Sequence, residues 1–131
     1  SAASDVYKRQ IDIITARKED LAANPKKYQS FLKCIYKAID YSKAEPDKYA
    51  ELAAGHFGLT AADVKEILAT SLSYTPLDQS LGYLGKPGAR GTLHDIFDTV
   101  MGLNLENGAA ETKLDSNQQI DNSVINALSG M

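Results

Sequence analysis

Between Asn24 and Ala44, Tyr28, Phe31, Leu32, Ile35, Ile39 and Ser42 recur at i, i+3, i+4, i+7, i+11 and i+14. That spacing lines one side of an α-helix and no side of a β-strand. Asn24-Pro25 opens the stripe: Asn caps free amides, and Pro fits the first helical position, where no amide is needed. Glu45-Pro46 closes it, because proline cannot continue a helix interior. A long amphipathic helix ending near Ala44 is therefore the element that any fold of this chain must accommodate.

Three further helices follow from punctuation and period. Pro46 starts the next one, with Tyr49, Ala50, Leu52, Ala53 and Phe57 on its buried side and Gly55 and Gly58 weakening and ending it. Thr60-Ala61-Ala62-Asp63 has capping-box spacing, with Asp in place of Glu, ahead of Val64, Ile67, Leu68 and Leu72 on one face. Thr92 is the expected cap of a fourth, in which Leu93, Ile96, Phe97, Val100 and Met101 repeat at helical spacing and Asp95 lies in the first turn. Ser73 to Gly91 is rich in Pro and Gly and reads as mostly irregular, with Leu77, Leu81 and Leu84 forming a turn or two. Asn104 to Gln119 is polar and aperiodic, and Ile120, Val124, Ile125 and Leu128 suggest a short last helix. Ile11-Asp12-Ile13-Ile14-Thr15 is β-branched and too short for a helix, so it is expected to be one strand in need of a sheet. The fold expected is thus mostly α with one short N-terminal strand.

Composition excludes several classes. The 131 residues carry 14 basic and 17 acidic side chains, a net charge of -3, with no block of five like charges, which argues against a nucleic-acid partner. No window approaches the roughly 18 to 20 consecutive apolar residues of a membrane span. One cysteine, Cys34, rules out an internal disulfide and a cysteine-rich zinc site.

Candidate chemistry is sparse, and no catalytic residue or metal set is assigned. His56 and His94 are the only histidines, without HExxH or Cys/His ligand spacing. His94 and Asp98 stand at i, i+4, a spacing open to a shared metal but more often explained by an exposed ion pair. His56 sits at a helix end, where an imidazolium favours the dipole. Gly85-Lys86-Pro87-Gly88-Ala89-Arg90-Gly91-Thr92 is Gly-rich, carries two cations and leads into a helix N-terminus, the general recipe for an anion site. It lacks the Lys-Ser/Thr pair of a Walker loop, and a solvated connection is the preferred reading. Tyr28, Tyr36, Tyr41 and Tyr49 read as core and rim of the helices rather than as an aromatic binding face. Cys34, among Phe31, Ile35 and Ala38, reads as a small buried or half-buried hydrophobe rather than a reactive thiol.

Residues 1–10 are expected not to be native. Asp5-Val6-Tyr7-Lys8-Arg9-Gln10 resembles the translation of a transposon mosaic end used in library adapters. On that reading residues 11–131 are a C-terminal fragment whose natural sequence is cut at Ile11, so that the N-terminal part of the chain, with any signal peptide, is missing.

Ala16-Arg17-Lys18-Glu19-Asp20-Leu21-Ala22-Ala23-Asn24-Pro25, then Phe31-Leu32-Lys33 and Lys37-Ala38-Ile39-Asp40-Tyr41, resembles the later part of ABC-importer solute-binding proteins of the nitrate/sulfonate/taurine class. Glu45-Pro46-Asp47, Ala50 to Ala54, Gly58-Leu59-Thr60, Val64-Lys65-Glu66-Ile67-Leu68, Leu77-Asp78-Gln79-Ser80-Leu81 and Ile120-Asp121-Asn122-Ser123 continue the likeness in the family's order. The Gly85 to Gly91 loop departs from it, since the family more often continues in helix there. The resemblance implies a parent fold that is α/β and two-lobed, of the periplasmic binding protein type II. It implies a non-enzymatic protein that delivers a small anionic or heteroaromatic solute to an ABC-importer permease. It also implies a periplasmic or extracytoplasmic location, with or without a lipid anchor, and ligand-binding residues mostly upstream of Ile11; no cofactor is implied. Two other readings stand beside it: a free-standing helical interaction domain, and part of a pyrimidine-precursor biosynthesis enzyme of the same fold.

Overall fold

The structure is a computed structural model that describes residues 10–130. Eight helices follow one another: α1 (Lys18–Ala23), α2 (Pro25–Ala44), α3 (Pro46–Phe57), α4 (Ala61–Thr70), α5 (Leu77–Leu84), α6 (Thr92–Glu106), α7 (Ser116–Gln119) and α8 (Ser123–Ala127). The reading of residues 1–10 as an adapter translation lies, apart from Gln10, outside the described residues.

Local sequence accounts for the joints. Pro25 and Pro46 occupy the first turns of α2 and α3. Gly58 ends α3 in the left-handed region at φ 68, and the Leu59 amide closes back on the Ala54 carbonyl at 3.0 Å. The capping box of α4 is present: the Asp63 amide donates to Thr60 Oγ1 at 3.1 Å, and the Thr60 amide donates to Asp63 Oδ2 at 3.0 Å. The Thr60 hydroxyl, which donates to Asp63 Oδ2 at 2.6 Å, and then the Thr60 amide hold the Asp63 carboxyl below its ordinary pKa. Asn24 precedes α2 as expected but makes no side-chain cap; its Nδ2 instead donates to Asp20 Oδ1 at 2.8 Å, tying α1 to α2.

Packing is sequential, with one exception. α1 lies on α2, α2 on α3, α3 on α4, α5 on α6 and α6 on α7, whereas α8 returns to touch both α2 and α5. The α3–α4 contact is built from small residues, with Ala50, Ala54 and Val64 buried and Tyr49, Ala53, Ala61 and Leu68 around them. Near the C-terminus Met101, Val124, Ile125 and Leu128 are buried, Ile125 to 1% exposure. Full burial of such a side chain contributes about 1.5–3 kcal/mol.

Three expectations are corrected. Ile11 to Thr15 forms no strand; it is irregular, with Ile11, Ile13 and Ile14 exposed. β-branched propensity expresses itself only where a neighbouring strand supplies the ladder, and none does. The chain is therefore all-helical among the described residues, and neither the N-terminal strand nor any sheet of a two-lobed α/β fold is found there. Residues 18–23, read only as part of a family motif, form α1, with Glu19 and Asp20 in its first turn where the dipole favours acids. The helical turn or two expected at Leu77 to Leu84 is present as an eight-residue helix of about two turns. Gly91, not Thr92, caps α6, moving Thr92 inside the helix.

Candidate functional site

The Gly85 to Gly91 loop is where most long-range polar contacts converge. Gly85 adopts φ 87, and a Cβ there would lie 2.6 Å from the Ala89 carbonyl oxygen, so the backbone folds back on itself more closely than a side chain allows. Asn122 Nδ2 reaches the turned-in carbonyls of Leu84, Lys86 and Ala89 at 3.3, 2.9 and 3.4 Å. Asn126 Nδ2 donates to the Gly85 carbonyl at 2.9 Å. At the loop's far end the Gly91 amide donates to His94 Nδ1 at 3.0 Å, a capping bond that the glycine cannot make for itself.

Arg90 gathers the next layer. Its guanidinium donates to Asp98 Oδ2 at 2.6 Å, Asp95 Oδ1 at 3.3 Å, Ser116 Oγ at 3.1 Å and Asn117 Oδ1 at 3.0 Å, fastening α7 to α6. Asp98 is held below the usual carboxylate range by the Ser116 hydroxyl and then by Arg90, and Asp98 and Asp95 in turn raise Arg90 above its ordinary value. Arg90 is already paired with carboxylates, and the loop's carbonyls are bound by amides, so Arg90 is not free for an anion; Lys86 to Arg90 are exposed, and the loop is a solvated connection anchored by these bonds.

Geometry also separates the residue pairs singled out in the sequence. His94 is 4% exposed and bound to the Gly91 amide, while Asp98 pairs with Arg90, so the two share neither a metal nor an ion pair. No group of three His, Cys, Asp or Glu capable of holding a metal occurs among the described residues. His56 lies in the last turn of α3, its ring edge-on to Phe57 at 5.0 Å. Tyr28 donates to Asp20, which Lys27 also contacts at 2.5 Å, and together with Asn24 these bonds draw the Asp20 carboxyl down to about 2. Tyr36 is half-buried and Tyr41 exposed. Cys34 is exposed, correcting its reading as a buried or half-buried hydrophobe.

What remains as a binding feature is apolar and open. A groove of about 170 Å³ between α2 and α3 is lined by Ile35, Ala38, Ile39, Tyr49 and Tyr74. The Tyr49 and Tyr74 hydroxyls meet at 2.7 Å with their rings edge-to-face, and burial together with this bond pushes the Tyr49 phenol up to about 12. Beside the groove Phe31, Cys34, Ala38 and Tyr41 recur along α2 at i, i+3, i+7 and i+10, all exposed. A second depression, about 320 Å³, is bordered by Gln79, Gly82, Tyr83 and Thr92. Neither encloses a solute as a buried ligand pocket does.

The apolar surface extends well beyond these features. Leu52 and Phe57, assigned to the buried side of α3, are each 69% exposed, and Ile67, Leu72, Val100 and Leu103 also face outward. The chain exposes 9736 Å² for 14.2 kDa, whereas a self-contained protein of that mass exposes about 6,800 Å². Part of the difference is the irregular arm at residues 10–17, every residue of which is exposed.

The residues that sequence reasoning missed are Asn122, Asn126, Ser116 and Tyr74. All four act across at least 25 positions of chain, and only the place of Asn122 beside a helix start gave a signal. Compared with known proteins, the chain matches no family model, no curated protein and no solved structure.

Proposed function

We propose that this chain is the helical portion of a solute-binding protein that hands a small anionic or heteroaromatic solute to the permease of an ABC importer outside the cytoplasm. Binding rather than catalysis is its role. The reading is carried by the order of its helix joints. Asn24-Pro25, Glu45-Pro46-Asp47 and Gly58-Leu59-Thr60, three of the segments that resemble the family's, each fall at the start of a helix and follow in the family's order. The uncovered apolar surface agrees with it: a chain whose solute site is completed by further polypeptide carries a face built for that contact and no closed cavity of its own.

The exposed stripe of α2 and the groove beside it favour a second reading, a helical interaction domain that covers this face with a partner protein. Source DNA upstream of the Ile11 codon separates the two. A frame that continues through a secretion signal supports the first reading. The lengthened protein should then gain thermal stability with one member of a panel of nitrate, alkanesulfonates and pyrimidines, by mass action on the folded state. A start codon close to Ser1, with a sharp and concentration-independent thermal transition for the chain alone, overturns it in favour of the interaction domain.

A further inference from the structure

The chain contains six asparagines, Asn24, Asn104, Asn107, Asn117, Asn122 and Asn126, and the structure gives them unequal chemical freedom. Asn24 precedes Pro25, whose nitrogen carries no proton. Asn104 lies inside α6, where the Leu105 amide is part of the helix and its side chain is branched. Asn117 Nδ2 is bound to Asp115 at 3.1 Å. Asn122 and Asn126 have their carboxamide nitrogens bound to backbone carbonyls.

Asn107 differs on every count. It sits at the exposed C-terminal end of α6 and is the one asparagine followed by glycine. Gly108 adopts φ 76, has open space around its Cα, and its amide makes only a long 3.3 Å bond to the Leu105 carbonyl. No hydrogen bond holds Asn107 Nδ2 among the described residues, whereas its Oδ1 accepts the Ala109 amide at 3.2 Å. That bond draws electron density away from Cγ and favours attack there.

We infer that Asn107-Gly108 is a site of spontaneous deamidation through a cyclic imide. The Gly108 nitrogen, giving up its proton, bonds to Asn107 Cγ; the Cγ–Nδ2 bond breaks, and the nitrogen leaves with the added proton as ammonia. Water then opens the five-membered imide at either carbonyl, leaving aspartate or isoaspartate at position 107. No electron donor or acceptor is needed, and water is the only co-reactant. The product places a carboxylate beside Glu106 at the negative end of the α6 dipole, where it weakens the last turn. This inference is independent of the proposed function.

The test is to age the full chain at neutral and at mildly alkaline pH in oxygen-18 water and to follow its peptides by mass spectrometry. The expected result is an amide-to-acid mass increment appearing first and fastest in the peptide containing residue 107. It should carry the heavy oxygen, accelerate with pH and split into two chromatographic forms. Asn107→Gln should slow conversion at that position severalfold and leave the other asparagines as they were. Gly108→Ala gives a second check, read in the unfolded chain so that strain at its positive φ does not intrude. Equal conversion at all six asparagines, a pH-independent rate, or an unlabelled product overturns the inference.

Discussion

Residues 25–70 and residues 77–128 are both helical, yet different chemistry holds them. In the first region α3 and α4 meet through small side chains, Ala50, Ala54 and Val64, and the large ones, Phe31, Leu52 and Phe57, face outward. In the second, α5, α6, α7 and α8 are joined through amides and a guanidinium: Asn122 and Asn126 on the Gly85 loop, and Arg90 on Asp98 and Ser116. Small-residue packing brings backbones close and is indifferent to single polar changes. A hydrogen-bonded knot loses a bond with each polar change, and the loss costs most where the bond is part-buried, as between Asn126 and Gly85.

The contrast breaks most sharply at Gly91. A Cβ there would stand 2.5 Å from the Gly85 amide nitrogen and closer still to the Tyr83 carbonyl, all backbone that cannot step aside. Gly91→Ala should cost about 3 kcal/mol in denaturant unfolding, whereas Gly55→Ala in α3, with open space around it, should stabilise by about 0.5–1 kcal/mol. A loss under half of that first figure would mean that the loop is not a fixed turn. Next in size is Asn126→Ala, which strips the Gly85 and Asn122 carbonyls of a donor and should cost about 2 kcal/mol. Hydrogen exchange should then rise in the loop and in α8 while α3 and α4 keep their protection.

The same contrast explains what the sequence discloses. Helix positions in 25–70 were legible because period and punctuation are local: Pro25, Pro46, Gly58 and the Thr60–Asp63 box each act within four residues. Burial was less legible. Leu52 and Phe57 have the spacing of a buried face but stay mostly exposed, since spacing says which residues share a side and not whether that side is covered. The knot was legible only in the place of Asn122 beside a helix start. Asn122 and Asn126 bond the Gly85 loop across 33 to 41 positions, and nothing near either residue announces that reach. Arg90 looked like an unpaired cation for the same reason.

A smaller effect, confined to the first region, comes from Tyr49. Its phenol is raised to about 12 by burial and by the Tyr74 hydroxyl, so the fold favours the neutral form. A group raised in the folded state contributes stability that is complete below its ordinary value near 10 and is lost as pH climbs from there through about 12. Alkaline unfolding should therefore begin in α2–α4, read by phenolate absorbance alongside helicity. Tyr49→Phe should flatten that pH dependence, while Tyr28→Phe should leave most of it. Simultaneous loss of both regions at one pH would show them to be a single cooperative unit.

The smallest effect on folding is expected where the apolar surface is largest. Phe57 and Leu52 are more than two-thirds exposed, and replacing either by serine removes no packed contact of weight, so unfolding free energy should move by less than about 0.5 kcal/mol. Association should respond differently. An uncovered face promotes self-contact in proportion to the apolar area it offers, so the double change Leu52→Ser, Phe57→Ser should lower the sedimenting mass at high concentration while the thermal transition stays in place. If the transition instead falls by several degrees, these side chains are buried against the rest of the chain in solution. The small-residue core of α3 and α4 would then be only part of what holds the first region together.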